Sequence, residues 1–245
     1  MNGVRERYDV REVRLHAREP RSPWIWALLR SRARVGCWPV TFPETSAGAY
    51  FSAVAILGNL PFTSPVSVLE IKKYPSSILK QKAKPMRQIN GGTARMLHDM
   101  VDTMYIANGI GLAAPQIGVL ERVIVVDIDP DNRGKNLLKI INPEIIESRG
   151  SIVWEEGCLS VVNYTAEVKR AREILVRGWT LDQKEIEIEA TDLEAVCLQH
   201  EIDHLEGVLF IDHVSRLKRE LYRKRLKREN PELVRNPDAA AGLVF

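Results

Sequence analysis

The feature that most restricts the fold is a stripe of apolar residues and two histidines along one predicted helix. In the stretch LEAVCLQHEIDHLEGVLF, residues 193–210, the stripe consists of Leu193, Val196, Cys197, His200 and His204, which recur at the three- and four-residue spacing of a helix. Side chains with this spacing share one face, and an apolar face packs against a protein core. Both imidazoles are therefore predicted to point into the core.

Two helices of the core are predicted, and both have sequence signals at their ends. The helix with the histidines begins with Thr191 and Glu194, which stand three residues apart as in a capping box, and it stops near Gly207. An earlier helix of about four turns is predicted from the apolar spacing within residues 96–105. The Asn108-Gly109 pair is predicted to end it, since glycine is the usual residue in a left-handed cap.

Apolar runs and alternating segments predict the strands. Residues 122–128 and 137–142 are mostly apolar, which predicts buried strands joined by a turn. Apolar and polar residues alternate with period two in 166–179 and 184–190, on either side of a turn at Asp182-Gln183. This predicts antiparallel strands with one solvent-exposed face. Strands and helices do not alternate strictly, so the predicted class is α+β. We expect antiparallel or mixed sheets packed around the central histidine-bearing helix, with a C-terminal helix.

Composition excludes some classes of protein. The chain has 245 residues and a formal net charge of +3, so its overall charge alone would not make it bind nucleic acid or membranes. Its cysteines, Cys37, Cys158 and Cys197, are odd in number and lack a disulfide spacing, which favours a reducing compartment. No apolar stretch is long enough to cross a bilayer. We therefore expect a cytoplasmic protein with no membrane partner. A monomer is the expected state, although composition itself does not distinguish a monomer from a dimer.

Residues 1–65 differ from the rest of the chain. They contain nine arginines and no lysine, and they show no sustained periodicity. Acidic residues interrupt the arginines, which argues against an organelle transit peptide. We expect an unstructured extension, or one that is absent from the native product if synthesis starts at Val66. One folded domain is then predicted over residues 66–230, followed by a flexible tail over 231–245.

The histidine-bearing helix contains the motif H-E-x-x-H, as His200, Glu201 and His204. This spacing brings two ring nitrogens to one point, and the intervening glutamate can reach a metal-bound water. Two surface histidines are the alternative, and a motif this short also arises by chance. The apolar stripe favours metal ligands, because two buried imidazoles need polar partners.

A third ligand is needed to complete such a site. Phe210 stands where metzincin proteases have their last histidine, which excludes that class. Thermolysin-like enzymes use a downstream glutamate, but none is well placed on a second core helix among Glu206, Glu220, Glu229 and Glu232. Upstream, Cys158 lies in the segment EEGCLSV. A lone cysteine is usually a small buried hydrophobe, but a thiolate with two neutral imidazoles and one open position forms a hydrolytic metal site.

The segment GIGLAAPQIG, residues 109–118, is rich in small residues. A dinucleotide-binding loop is a weak interpretation, because no strand precedes the segment and no third glycine stands at the required offset. Small residues allow another backbone to approach closely, and Gln116 adds an amide donor. A substrate strand is therefore predicted to pair along this edge.

Together the three segments resemble the peptide deformylase family. Its motifs, G-φ-G-φ-A-A-x-Q, E-G-C-φ-S and H-E-x-x-H, where φ is apolar, occur in that order at 109–116, 156–160 and 200–204, and the resemblance covers residues 66–230. The chain departs from the family after the second motif, where Val162 replaces a common proline and Thr165 stands near the place of an arginine. This departure concerns contacts with the downstream residues of the peptide.

The resemblance implies an enzyme that removes the N-formyl group from the N-terminal formylmethionine of nascent polypeptides and releases formate. It implies a divalent metal ion, natively Fe(II) and replaceable by zinc, nickel or cobalt, bound by Cys158, His200 and His204.

The resemblance also implies roles for the residues around the metal. Glu201 would act as general base and then as acid, and Gln116 and the Leu159 N–H would stabilise the oxyanion. The implied substrate-binding residues are Gly109, Ile110, Gly111, Trp154, Glu156, Gly157, Leu193, Val196 and Cys197.

Two other functions fit parts of the sequence. A zinc metallopeptidase of another class would cleave internal peptide bonds and would not need Cys158, whereas a non-catalytic binder of formylated peptides would be expected to lack Glu201. The segment 216–228 holds eight arginines and lysines. As a bare charge pattern it predicts a solvated terminal helix. For an enzyme that acts on nascent chains, it predicts an arm that docks on the phosphates of ribosomal RNA.

Overall fold

The structure, a computed structural model, describes residues 68–238. The helices and strands, in chain order, are α1 (Gly91–Ile106), β1 (Gly111–Ala113), β2 (Val123–Val126), β3 (Leu138–Arg149), β4 (Ile152–Cys158), β5 (Val161–Arg170), β6 (Glu173–Trp179), β7 (Glu185–Thr191), α2 (Asp192–Leu205), α3 (Arg216–Glu229) and α4 (Pro231–Arg235). The extension predicted over residues 1–65 lies outside the described residues, as does the end of the chain after residue 238. Between 68 and 238, no helix has the length and apolar composition that crossing a bilayer requires.

Five strands form one antiparallel sheet in the order β1-β2-β3-β6-β7, and β4 pairs with β5 in a separate two-stranded sheet. The strand β2 is apolar along its whole length because helices cover both faces of the sheet there. Ile124 and Val126 pack with α2, whereas Val123 and Val125 pack with α1. The α+β class, with antiparallel sheets around a central helix that carries the histidine motif, is confirmed.

A third apolar cluster joins the two-stranded sheet to the C-terminal part of the domain. Val161 and Val168 of β5 pack with Phe210 and with Tyr222 and Leu226 of α3. The helix α3 therefore packs against the strand that begins shortly after Cys158.

The segment 166–179, predicted as one alternating strand, is divided between two sheets. The strand β5 ends at Arg170, and β6 begins at Glu173 in the larger sheet. At the break, the Ala171 N–H donates to Gln199 Oε1 at 3.0 Å, and Gln199 Nε2 donates to the Ala171 carbonyl at 2.9 Å. A side chain of α2 thus satisfies the backbone where it leaves the strand. The apolar alternation continues through this break, which is why the pattern alone did not reveal it.

The helices end close to the predicted positions, but two of the caps are formed differently from the prediction. At the end of α1, Asn108 with φ 53° adopts the left-handed conformation that was predicted for Gly109. At the start of α2, the Thr191 side chain makes no capping hydrogen bond, so the predicted capping box is wrong although Thr191 is the N-cap residue. Gly207 has φ 72°, in agreement with its predicted role after α2.

The segment predicted as a flexible tail begins with the short helix α4. Beyond it, the Asp238 carboxylate accepts hydrogen bonds from Ser76 Oγ at 2.7 Å and from the Ser77 N–H at 3.1 Å. Asp238 is therefore attached to the first part of the domain, and the predicted tail over 231–245 stays a prediction.

Candidate metal centre and active site

Cys158, His200 and His204 converge where β4 ends against α2. The two histidine rings lie one helical turn apart, with 5.0 Å between their centroids and 76° between their planes. The Cys158 Sγ lies 3.2 Å from His204 Nε2, and the ligand atoms of the three residues all lie within 4.8 Å of one another. We call these three residues the ligand cluster. One thiolate and two imidazoles fit around a single divalent ion and leave a fourth position free.

The burial of the site also fits a metal. Burial and the neighbouring His200 hold the pKa of His204 well below its usual value, so its imidazole is neutral, which is the form that binds metals. In the described part of the chain, two buried side-chain atoms have no hydrogen-bond partner, Glu201 Oε2 and His204 Nδ1. Buried polar atoms are rarely left unpaired, and both of these belong to the H-E-x-x-H motif. The site therefore fits a bound polar group that the chain itself does not supply.

Glu156 orients one of the metal ligands. Its Oε2 lies 2.8 Å from His200 Nδ1, and Arg170 donates to its two oxygens at 2.8 and 3.1 Å. Burial alone would raise the pKa of Glu156, but the bonds with His200 and Arg170 lower it to about 2. A carboxylate on Nδ1 fixes the tautomer and leaves Nε2 as the ligand atom. Both oxygens of Glu156 therefore make positioning contacts, and the substrate-binding role implied by the resemblance stays a prediction.

Arg170 and Asp203 extend this contact toward the surface, and the sequence patterns did not identify either residue. Arg170 Nη1 donates to Asp203 Oδ2, which also lies 2.7 Å from His213 Nε2. Arg170 occupies one of the buried positions of the alternating strand β5. An arginine at an apolar position of an alternating strand is the signal that could have found it, since a buried charge needs a partner.

Glu201 is buried against the edge strand β1. A Cβ atom added to Gly111 would lie 2.3 Å from Glu201 Oε1, so glycine is the residue that leaves room for this carboxyl group. Burial raises the pKa of Glu201 to about 7. A carboxyl group that can take and release a proton near neutral pH is suited to general base and acid catalysis.

Gln116 is held in one orientation by contacts at both ends of its amide. The Ala113 N–H donates to its Oε1 at 2.8 Å, while its Nε2 lies 3.1 Å from Ser160 Oγ and 3.5 Å from Cys158 Sγ. The amide donor is thereby directed toward the ligand cluster. No hydrogen bond within residues 68–238 uses the Leu159 N–H, so this second donor is available as well. Ser160 lies within the E-G-C-φ-S motif but was not among the predicted site residues.

Gly109 and Gly111 allow close packing at the predicted substrate edge. A Cβ atom on Gly109 would lie 2.7 Å from Leu159 Cδ1, so this position is closely covered too, though less tightly than Gly111. On the α2 side, Cys197 Sγ lies 3.5 Å from the Ile110 carbonyl, and both residues belong to the same apolar cluster. An apolar wall therefore lies between β1 and α2.

The other predicted substrate residues differ in exposure. Val196 is buried, Trp154 and Leu193 are half-buried, and Gly157 is exposed. Thr165, near the place of the family's arginine, donates its hydroxyl to Glu155 Oε1 at 2.9 Å. This part of the site consequently presents a glutamate held by a threonine.

The helix α3 holds the start of β5, the strand in which the chain departs from the family. The Tyr222 hydroxyl donates to the Val162 carbonyl at 3.3 Å, and Arg225 Nη2 donates to the Asn163 carbonyl. Asn163 has φ 50°, a left-handed conformation, near the start of β5. Side chains from α3 thus hold the first residues of the strand that follows the sulfur-bearing Cys158.

Comparisons with known proteins agree with this geometry. Residues 68–220 match the family model described as Polypeptide deformylase. The chain is 54% identical to the peptide deformylase of Thermodesulfovibrio yellowstonii over 162 residues, which are 66% of this chain and 98% of the relative. It also resembles the crystal structure of a peptide deformylase from Legionella pneumophila, with a TM-score of 0.64 and 42% identity, over 69% of this chain and 98% of that chain.

A second solved structure gives the same result. The peptide deformylase from Thermotoga maritima matches with a TM-score of 0.57 and 36% identity, over 60% of this chain and 98% of that chain. The matched residues 68–220 include all three motifs and the ligand cluster. The chain therefore belongs to the peptide deformylase family, whose members are metal-dependent hydrolases that remove the N-formyl group from nascent polypeptides.

Proposed function

We propose that this chain deformylates N-terminal formylmethionine with Glu201 as general base and acid, and with Gln116 and the Leu159 N–H as oxyanion donors. The observation that carries the assignment is the buried Glu201 carboxyl group, whose Oε2 has no partner among the described residues and which adjoins the ligand cluster on α2. The methionine side chain would lie against the apolar wall that contains Ile110 and Cys197.

Each of these residues would have a separate task. A divalent ion held by the ligand cluster would supply Lewis acidity and lower the pKa of a coordinated water. Glu201 would take a proton from the attacking water and pass it to the leaving amine, because a pKa of about 7 permits both transfers. Gln116 and the Leu159 N–H would donate to the oxyanion, and each such donor typically contributes about 3–4 kcal/mol in the transition state. The products are formate and a free N-terminal amine.

We propose Fe(II) as the native ion, with zinc, nickel or cobalt as substitutes. The thiolate of Cys158 supports this proposal because sulfur softens a site that imidazoles alone would leave harder. A thiolate beside Fe(II) is also open to oxidation. Metal analysis of protein purified without oxygen should therefore find iron, and activity should fall in air. Full zinc occupancy with activity that is stable in air would contradict the proposal.

The central test of the mechanism is Glu201→Ala. The variant should keep its metal and lose formate release from a formyl-methionyl peptide, because no other group would take the proton. Glu220→Ala on α3 is the control, since Glu220 lies outside the ligand cluster and its ion pair is with Arg223 on the same helix. A Glu201→Ala protein that retained most of the wild-type rate would exclude Glu201 as the base. Cys158→Ser should lower metal occupancy.

We also propose that α3 docks on ribosomal RNA. Its outer side exposes Leu217 and Leu221, and within residues 68–238 its Lys218, Lys224 and Lys227 form no ion pair. Unpaired lysines on one helix suit contacts with phosphates, which weaken as salt rises. Replacing the three lysines with alanine should reduce cosedimentation with ribosomes and leave hydrolysis of a free formyl-methionyl peptide unchanged. Association that does not depend on salt would argue against phosphate contacts.

A further inference from the structure

Lys73 lies against the loop that carries the sulfur ligand, and none of the roles assigned above uses it. Its Nζ donates to the Leu159 carbonyl at 2.7 Å. Within residues 68–238 it forms no ion pair with a carboxylate. Burial lowers the pKa of Lys73, and the nearby Cys158 thiolate offsets part of that shift, so placing the ammonium group here has a cost that a surface lysine would not have. Its one hydrogen bond within residues 68–238 is to the Leu159 carbonyl, which indicates a specific task for that contact.

The residues on either side of Lys73 bind the same region through their main chains. The Lys72 N–H donates to the Gln116 carbonyl at 2.7 Å, and the Tyr74 N–H donates to the Ser160 carbonyl at 2.7 Å. We call residues 72–74 the clamp segment. Three consecutive residues therefore hold both parts of the chain that carry the proposed oxyanion donors.

We propose that Lys73 is a positioning residue that holds the Leu159 N–H in place to receive the oxyanion. This inference rests on the oxyanion role proposed for Leu159. Leu159 lies in the turn between β4 and β5, and its N–H has no acceptor among the described residues. Cys158 in the ligand cluster anchors one side of this residue. The bond from Lys73 to the Leu159 carbonyl anchors the other side.

The size of the effect follows from what the donor contributes. Complete loss of one oxyanion donor typically lowers kcat about 10²–10³-fold. Loss of the Lys73 contact would loosen the Leu159 peptide without removing it, so we expect a fall of about tenfold in kcat. KM should change by less than about twofold, because the contact serves the transition state more than the bound substrate.

The experiment compares Lys73→Met, which keeps the apolar stem, with Lys73→Arg, which keeps a cationic donor. Lys82→Met is the matched control, because the exposed Lys82 side chain lies outside the clamp segment and pairs with Glu206 at 2.6 Å. All proteins are loaded with the same metal and assayed for formate release and metal content. Hydrogen exchange at the Tyr74 N–H is measured in the metal-free proteins, because that bond reports on the loop independently of activity.

Lys73→Met should show the fall in kcat with unchanged metal content, and it should lose protection at Tyr74. Lys73→Arg should recover most of the rate and the protection, and Lys82→Met should resemble the wild type. A Lys73→Met protein with normal kcat, or one with normal protection at Tyr74, would overturn the inference. Loss of metal in this variant would also overturn it, since the effect would then lie in the ligand cluster. An active Glu201→Ala protein would instead overturn the proposed mechanism, whatever the Lys73 variants do.

Discussion

Gly111→Ala should impair catalysis by displacing the proposed base. An added Cβ atom would lie 2.3 Å from Glu201 Oε1, 2.8 Å from its Cδ and 2.9 Å from its Cγ. Ordinary contacts begin at 3.4 Å, so the carboxyl group would have to move by about 1 Å. Glu201 is buried, so the displaced group would have little free space to enter. A misplacement of about 1 Å can cost about 100-fold in rate, which is about 2.7 kcal/mol of transition-state stabilisation.

The assay is kcat/KM for formate release from a formyl-methionyl peptide, measured on protein of known metal content. Metal content should not change, because Gly111 does not belong to the ligand cluster. Gly91→Ala is the control, since a Cβ atom at this position in the first turn of α1 would meet nothing within 4 Å. A Gly111→Ala protein with full metal content and a rate within about threefold of the wild type would refute this reasoning.

Three further results are expected around the ligand cluster. Glu156→Gln should weaken metal affinity about 10- to 100-fold by removing the charge beside His200 Nδ1, and equal affinity in a chelator competition would contradict this role. Ser160→Ala should lower kcat about fivefold at constant KM, because the Gln116 amide loses its contact at 3.1 Å. A normal kcat would show that the amide needs no such support. Chelation should lower the melting temperature of the wild type, by an amount that corresponds to about 4 kcal/mol when free metal had been at 1,000 times its Kd. Cys158→Ser should respond much less, and a full response would place the sulfur outside the site.

The parts of the site that could be predicted from the sequence are those whose residues lie close together in one short segment. The spacing of His200 and His204 fixes their common face, because a helix repeats every 3.6 residues. The same periodicity identified α2 as the buried central helix. Local patterns of this kind do not depend on how the rest of the chain folds.

The supporting contacts could not be predicted because they join distant segments. Lys73 and Leu159 are 86 positions apart in the chain, and Glu156 and His200 are 44 apart. No local period relates such residues, and a lysine or glutamate in a polar segment is usually solvated. The division of 166–179 between two sheets escaped prediction for a related reason, since strand alternation does not tell which neighbour a strand pairs with.

The family motifs identified the residues proposed to react but not the side chains that position them. Glu156 and Ser160 stand inside a recognised motif, yet their contacts with His200 and Gln116 became visible only in three dimensions. Arg170 belongs to none of the three motifs.

The attachment of α3 to the start of β5 affects how the chain can be shortened. Tyr222 and Arg225 bind that strand from the inner side of the helix, while Leu217 and Leu221 remain on its outer side. A truncation before residue 216 would remove both sides at once, so an inactive truncated enzyme would carry no information about ribosomes. Only substitutions confined to the outer side of α3 can separate ribosome association from catalytic activity.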